Sequence, residues 1–476
     1  MSLNSFYFII YFVILYLMLF VLQIIRTNSK KKKINSEIGR FQLLLLLFFS
    51  YFFILKSSWQ FCVCIFAYTL FVYIIGLYVH NRKSILVVGI IVSVIMLGYF
   101  KYTNFFIAEF GNVFGTDIVT LNIILPLGIS FYTFSGISYM IDIYRSEHLA
   151  QKNFINVALY IAFFTKITAG PIVRGKDFFP FINKYRGVEL SSLETGIQIF
   201  VFGLFKKIVL ADHLGVFVDD VFFAPTAFNT GTIFLAVISY SLQIYFDFSG
   251  YSDMAIGLSK MVGFDFKPNF NLPYIAKGIS NFWKRWHISL SSWFQDYLYI
   301  PLGGSRKGNC RTYLNLIIVM AVSGLWHGVG LTFIVWGILH GIGSCVDRVI
   351  SKSKKVVGKI VDIIRIIITY FVVMLLWVVF RASDLSNAWN VWKGMFTIHT
   401  GIAQPYTWSF FAIVCLIIAT IMALAKAKKS DNEYVNGYYP ILNLSKIIPL
   451  AIFFTFCGLT ILLGYYGNTA FIYGKF

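Results

Sequence analysis

The sequence predicts an all-α polytopic membrane protein, and three observations predict it. Hydrophobic residues make up 58% of the 476 and charged residues only 13%, where a soluble protein carries roughly a quarter. Long apolar runs recur along the whole chain, with a mean hydropathy of +0.75. These runs are continuous rather than alternating, as expected of helices that satisfy their own backbone in lipid and not of a β-barrel. The formal charge of +20 is read as Lys and Arg gathered in cytoplasmic loops; no nucleic-acid partner is expected.

The first run, residues 5–25, lacks a basic approach and a small-residue cleavage site, so it reads as a span and not as a signal peptide. Arg26 and Lys30–Lys33 put the next loop on the cytoplasmic side. Spans near 41–56 and 61–79 follow, joined by a very short outer turn, and His80, Arg82 and Lys83 mark a second inner loop. A fourth span is expected at 84–100, then an interfacial helix over the semi-apolar stretch 103–120 containing Asp117, and a fifth span at 121–143. Residues 154–169 are apolar but carry Lys166 and run into Gly170-Pro171, a helix break that suggests a re-entrant or partial span.

Spans near 196–212 and 231–246 come next, and Asp247 and Asp253 then stand at or just past membrane depth. Residues 265–312 form a polar-aromatic segment too broken to span, with seven Lys or Arg against Asp265 and Asp296. A tight hairpin is expected at 313–330 and 331–347, then an inner loop with Lys352, Lys354, Lys355 and Lys359. Spans at 360–380, 408–425 and 446–466 complete a count of about twelve, with an outer loop at 381–407. Residues 1–476 read as a single integral-membrane domain without an internal repeat. The six cysteines, Cys62, Cys64, Cys310, Cys345, Cys415 and Cys457, lack any CxxC or CxxH spacing and read as buried free thiols; no metal site is expected.

Two histidines are the candidates for chemistry. His327 lies in Trp326-His327-Gly328, inside the uncharged run Tyr313–Val335. An imidazole there is either a hydrogen-bonded core residue or a general base facing a cavity. Gly324 and Gly328, and Gly337 and Gly341, stand at the spacing that lets helices approach closely. His340 lies thirteen residues on, roughly 220° around a continuous helix, and reads as structural.

His287 follows Asn281-Phe282-Trp283-Lys284-Arg285-Trp286 and precedes Ser289. An interfacial amphipathic helix accounts for the tryptophans and cations but not for Asn281, His287 and Ser289 together. Gly303-Gly304-Ser305-Arg306-Lys307-Gly308 lacks the P-loop spacing yet offers backbone N–H groups and cations to a phosphate; a plain basic loop fits equally. Asp247 and Asp253 either orient a histidine or bind a cation, or belong to a turn with an N-cap at Ser249 or Ser252.

Taken jointly, several stretches resemble the membrane-bound O-acyltransferases, in the bacterial branch of alginate O-acetyltransferases and D-alanyl-lipoteichoic acid transferases. They are Gly170-Pro171-Ile172-Val173-Arg174, Tyr245–Asp253, Trp286-His287, Asp296–Gly304, Ser323–Gly328 and Trp336-Gly337. The similarity covers roughly residues 85–345. It implies a ring of tilted helices, with re-entrant and interfacial helices, around a central tunnel. His327 matches the family's histidine and His287 its second one; where eukaryotic members have an upstream Asn, this chain has Trp286-His287. The resemblance further implies acyl transfer from a cytoplasmic thioester, most simply acetyl-CoA, to a hydroxyl of a cell-envelope or exopolysaccharide glycan in the bacterial cytoplasmic membrane. His327 would be the general base, His287 would position the donor or steady developing charge, and Lys284, Arg285, Trp286, Arg306 and Trp326 would bind the donor. Asn281, Ser289, Asp247 and Asp253 would give polar support. The implied partners are membrane lipid, the polysaccharide acceptor, and an extracytoplasmic SGNH-type acetyltransferase or small membrane protein. D-alanyl transfer from a carrier protein to teichoic acid stands as the alternative, and a proton-coupled transporter as one of another class. The several spans beyond the shared segment favour the acetyl branch.

Overall fold

Four long apolar helices open the chain: α1 (Phe6–Asn28), α2 (Lys32–Leu55), α3 (Trp59–Tyr78) and α4 (Lys83–Phe114). The computed structural model describes residues 2–116, 119–168, 170–352, 358–430 and 441–467, so Asp117, Lys354 and Lys355 lie outside the described residues. Ser5 and Ser58 cap α1 and α3 by accepting from the backbone N–H groups of Phe8 and Gln60. α4 is one helix of 32 residues, not a span followed by a separate interfacial helix, and it ends where Gly115 turns left-handed at φ +64°. The semi-apolar stretch from 103 onward continues it because no proline stands in its path.

α5 (Ile129–Arg145) starts later than expected, after Pro126 and the left-handed Gly128, whose Cβ would meet Ile167 O at 1.9 Å. α6 (Phe154–Ala162) has only nine residues, about 13 Å of helix, too short to cross a bilayer. The chain then turns, and Lys166 Nζ sits 3.8 Å from the centroid of the Tyr160 ring and 3.4 Å from Ser135 Oγ, which places the amine inside an aromatic layer. α7 (Gly175–Asn183) and α8 (Leu190–Leu204) follow.

α8 runs through a π-helical stretch, Phe205–Ala211, into α9 (Asp212–Phe223). α10 (Thr230–Met261) continues straight through Asp247–Asp253, so neither Ser249 nor Ser252 caps a helix there. α11 (Ile279–Trp283) and α12 (Ile288–Phe294) are short pieces within the broken segment. α13 (Gly308–His327) and α14 (Leu331–Lys352) form the hairpin, and α15 (Lys359–Arg381) follows. The expected outer loop contains α16 (Leu385–Phe396), capped by Asp384, whose Oδ1 accepts from Asn387 N at 2.8 Å. α17 (Thr407–Ser430) and α18 (Ile447–Leu462) come last.

Among the described residues there is no strand, and eight helices are long and apolar enough to cross a membrane: α1–α4, α10, α14, α15 and α17. α18 is apolar but shorter, and α5 and α8 have 17 and 15 residues. The cysteines are free, but they are not buried: Cys310 is exposed and the other five are half-buried. A surface that faces lipid accommodates them as readily as a core.

The chain divides into two compact units, Met1–Phe200 with Asp253–Phe266, and Val201–Ser252 with Lys267–Phe476. Within each, α8 and α10 approach through glycines. In the first, a Cβ on Gly257 would lie 2.6 Å from Gly196 O; in the second, one on Gly250 would lie 2.7 Å from Gly203 O. The site residues discussed next belong to the second unit, apart from Asp253.

Candidate active site

The hairpin positions His327 by steric fit. A Cβ on Gly324 would lie 2.1 Å from Phe333 O, and one on Gly337 would lie 2.3 Å from Met320 O. The two helices therefore meet backbone to backbone. α13 ends at His327, and Gly328 leaves it in an extended conformation, its own Cβ position filled by the Phe333 ring. His327 is 2% exposed and stands among aromatic rings, with centroids 5.0 Å to Trp326, 5.2 Å to Trp336 and 5.6 Å to Phe380. At the carboxyl end of a helix the last carbonyls favour a positive charge.

His287 is held by hydrogen bonds. It precedes α12 in a left-handed conformation, φ +44°, which a non-glycine residue adopts only where its surroundings enforce it. The enforcing residue is Asn269. Its carbonyl accepts from Ile288 N at 2.9 Å, and its side-chain Oδ1 accepts from Ser289 N at 3.1 Å and from Ser289 Oγ at 2.9 Å. The same Oδ1 lies 3.3 Å from His287 Nδ1. Phe248 of α10 sets its ring edge-on to His287 at 4.6 Å. The imidazole is fully buried, and burial pushes its pKa down to about 3, so the ring is neutral through the physiological range.

Trp326 connects the two histidines, its ring centroid 6.0 Å from His287 and 5.0 Å from His327. His340 extends the row on the far side of Trp336, at 4.8 Å, and its Nδ1 accepts from Trp283 Nε1 at 3.3 Å. Trp286 is fully buried between Phe282, Phe270 and Trp377, at 5.5, 5.0 and 5.0 Å, and forms the wall of this layer.

The remaining predicted residues fall into distinct settings. Lys284 and Arg306 are exposed, and Arg306 follows Gly303 and Gly304, both at positive φ. Arg285 is tied down, its Nε donating to Asn281 Oδ1 and its Nη1 to Asn271 O, both at 3.1 Å. Asn281 thus orients Arg285. Asp247 belongs to a buried ion group: Lys207 Nζ lies 2.6 Å from both Asp247 Oδ1 and Asp212 Oδ1. Lys207 stands on the π-helical stretch, where the extra residue per turn changes the direction of the side chains. Asp253 is buried on α10 at the point where that helix enters the first unit.

Sequence reading missed Asn269 and Lys207. Asn269 could have been noticed in Pro268-Asn269-Phe270-Asn271-Leu272-Pro273, a turn-forming stretch with two amides among apolar residues. Lys207 is one of two adjacent lysines near the end of the 196–212 run, and nothing local pairs it with Asp247.

Residues 43–355 match the model of the membrane-bound O-acyltransferase family. The chain is 40% identical over 372 residues to a Pseudomonas aeruginosa protein named "Probable alginate O-acetylase AlgI", covering 76% of this chain and 71% of that one. It is 38% identical over 358 residues to a Helicobacter pylori peptidoglycan O-acetyltransferase, covering 68% of each. A teichoic acid D-alanyltransferase of Streptococcus thermophilus is 29% identical over 293 residues, 55% of this chain and 69% of that one.

Proposed function

The chain belongs to the membrane-bound O-acyltransferase family, and from that premise we propose that it moves an acetyl group from cytoplasmic acetyl-CoA across the bacterial inner membrane for O-acetylation of a cell-envelope or exopolysaccharide hydroxyl. It is an O-acyltransferase, a multi-pass membrane enzyme of the O-acetylating kind. Acetyl transfer is favoured over D-alanyl transfer because identity is higher and covers more of the chain for the acetylating relatives.

In the reaction, His327 takes the proton of the acceptor hydroxyl as its oxygen attacks the thioester carbonyl. The ester C–O bond forms, the C–S bond breaks, and the thiolate departs with the proton that His327 received. His287 holds the donor or the acceptor beside it. Lys284, Arg285 and Arg306 supply cations to the donor's phosphates, with Arg285 set in place by Asn281. Trp326 and Trp286 keep the reacting centre dry. With His327 2% exposed, substrates reach it through a movement of the surrounding aromatic side chains. An extracytoplasmic SGNH-type acetyltransferase or small membrane partner completes delivery to the polysaccharide.

The observation that carries this reading is the pair of buried histidines that both pack on Trp326, one at a helix carboxyl end and one in an enforced backbone conformation. The test is base-labile acetate on surface glycans of a strain carrying His327→Ala. Removing a general base predicts a fall of about 100-fold or more, with unchanged protein in the membrane. Full acetylation at normal protein level rejects the base assignment. Loss of ester-linked D-alanine in place of acetate rejects the donor class.

A further inference from the structure

We infer that Asn269 is a positioning residue that locks His287 in the tautomer with the proton on Nδ1, leaving Nε2 as a hydrogen-bond acceptor for a substrate N–H or O–H. The inference rests on the reading that His287 takes part in acyl transfer, and it narrows what the ring does there.

The tautomer follows from which end of the Asn269 amide faces the imidazole. The backbone N–H of Ser289 can only donate, and it points at the same Asn269 atom, at 3.1 Å, that lies 3.3 Å from His287 Nδ1. That atom is therefore the amide oxygen. The other end agrees, because Asn269 Nδ2 donates to Ser252 Oγ at 3.3 Å. An oxygen facing a ring nitrogen accepts, so Nδ1 carries the hydrogen, and a neutral imidazole then has its lone pair on Nε2. Asn269 is 1% exposed and makes these bonds from both side chain and backbone, so its amide is not free to turn over. Ser289 Oγ, 3.5 Å from His287 Nδ1, spends its hydrogen on the same oxygen, so toward the ring it too can only accept.

Nε2 is buried and has no hydrogen-bond partner among the described residues. A buried acceptor left without a donor costs free energy and suits a site whose donor arrives with the substrate. A neutral ring of this tautomer has no N–H on the Nε2 side, so it cannot donate to an oxyanion there. What it can do is receive the amide N–H of an acyl donor or the O–H of an acceptor. On the same segment, the Arg285 guanidinium is bound to Asn281 and Asn271. The other titratable ring, His327, packs on the same Trp326.

The test is direct. The full-length protein is labelled with nitrogen-15 in its seven histidines, reconstituted in lipid bilayers, and compared with His287→Gln by solid-state NMR near neutral pH. The expected result is that the signal pair missing from His287→Gln has a protonated Nδ1 and a bare Nε2. A protonated Nε2 overturns the inference. Asn269→Asp keeps an acceptor at this position and should keep the tautomer, with surface ester acetate within about threefold of wild type. Asn269→Leu keeps the size without the acceptor and should mix the tautomers and lower ester acetate about tenfold or more. If Asn269→Leu retains the wild-type tautomer, Asn269 does not set it. A rise in the donor's KM assigns Nε2 to the donor, and a rise in the acceptor's KM assigns it to the acceptor. Normal acetylation by His287→Gln rejects the part of His287 in transfer without touching the tautomer, which the spectrum alone decides.

Discussion

The α13–α14 hairpin and the broken segment 267–307 each deliver one histidine to the same aromatic layer, and they do so by opposite means. In the hairpin, glycines remove side chains so that two backbones touch, and His327 is where the helix stops. In the segment, backbone regularity is lost, and His287 is held by an amide more than fifteen residues upstream, through three bonds to Asn269 at 2.9–3.1 Å. The first is steric and local, the second polar and long-range. The comparison teaches that position can be fixed by exclusion of atoms or by saturation of hydrogen bonds, and that the two should fail differently when altered.

The largest effect should come from the steric side. Gly337→Leu puts a side chain 2.3 Å from the Met320 carbonyl, and a backbone cannot yield as a flexible side chain does. A loss of about 3 kcal/mol is expected, seen as aggregated protein in fluorescence-detected size-exclusion chromatography. A monodisperse variant with a normal melting midpoint would show that the hairpin tolerates separation.

Gly328→Ala is gentler. Its φ of −155° suits any residue, and the obstacle is the Phe333 ring at 2.2 Å, which can shift. Phe333 packs on Phe380, a neighbour of His327, with ring centroids 5.1 Å apart. Activity should therefore fall about tenfold while the melting midpoint moves little; an equal loss of both would mean that no separate steric control of the histidine exists.

On the polar side, the buried neutral imidazole of His287 links stability to pH. Its folded pKa, about 3, lies below the ordinary value near 6.5. The unfolded chain thus binds a proton that the folded one refuses. The contribution is fully present above pH 6.5 and is lost as the pH falls from 6.5 toward 3. Between pH 7.5 and 5, wild type should lose about 2 kcal/mol that His287→Gln does not, read as a steeper drop in melting midpoint. Parallel curves for the two proteins would contradict a buried neutral ring.

The smallest effect serves as the control. Asp384 caps α16 away from both histidines in sequence, and the backbone N–H of Asn387 holds its carboxyl below the usual range. Asp384→Ala should cost about 0.5 kcal/mol and leave acetylation unchanged. A change in activity would tie α16 to the reaction.

Much of the helical framework was legible because its signals are local. The first three spans, the break at Gly170-Pro171, the irregularity of 265–312 and the glycine-paired hairpin all follow from hydropathy and from residues within a few turns of one another. Errors arose where a polar residue looked like an end. Asp247 reads as the end of a span, yet α10 continues because Lys207 neutralises the carboxylate inside the unit. The stretch 381–407 reads as a loop, yet one cap at Asp384 suffices to start a helix in it.

By itself the sequence determined that this is a helical membrane protein, which family's motifs it carries, and that His287 and His327 are the residues to watch. Only the tertiary structure decided that one tryptophan packs on both rings, that Asn269 fixes one of them, and that Asp247 serves a buried lysine. Periodicity and composition report the partition between lipid and water, which each residue decides almost alone. A hydrogen bond or an ion pair needs two groups brought from distant positions, and no local pattern records which two will meet.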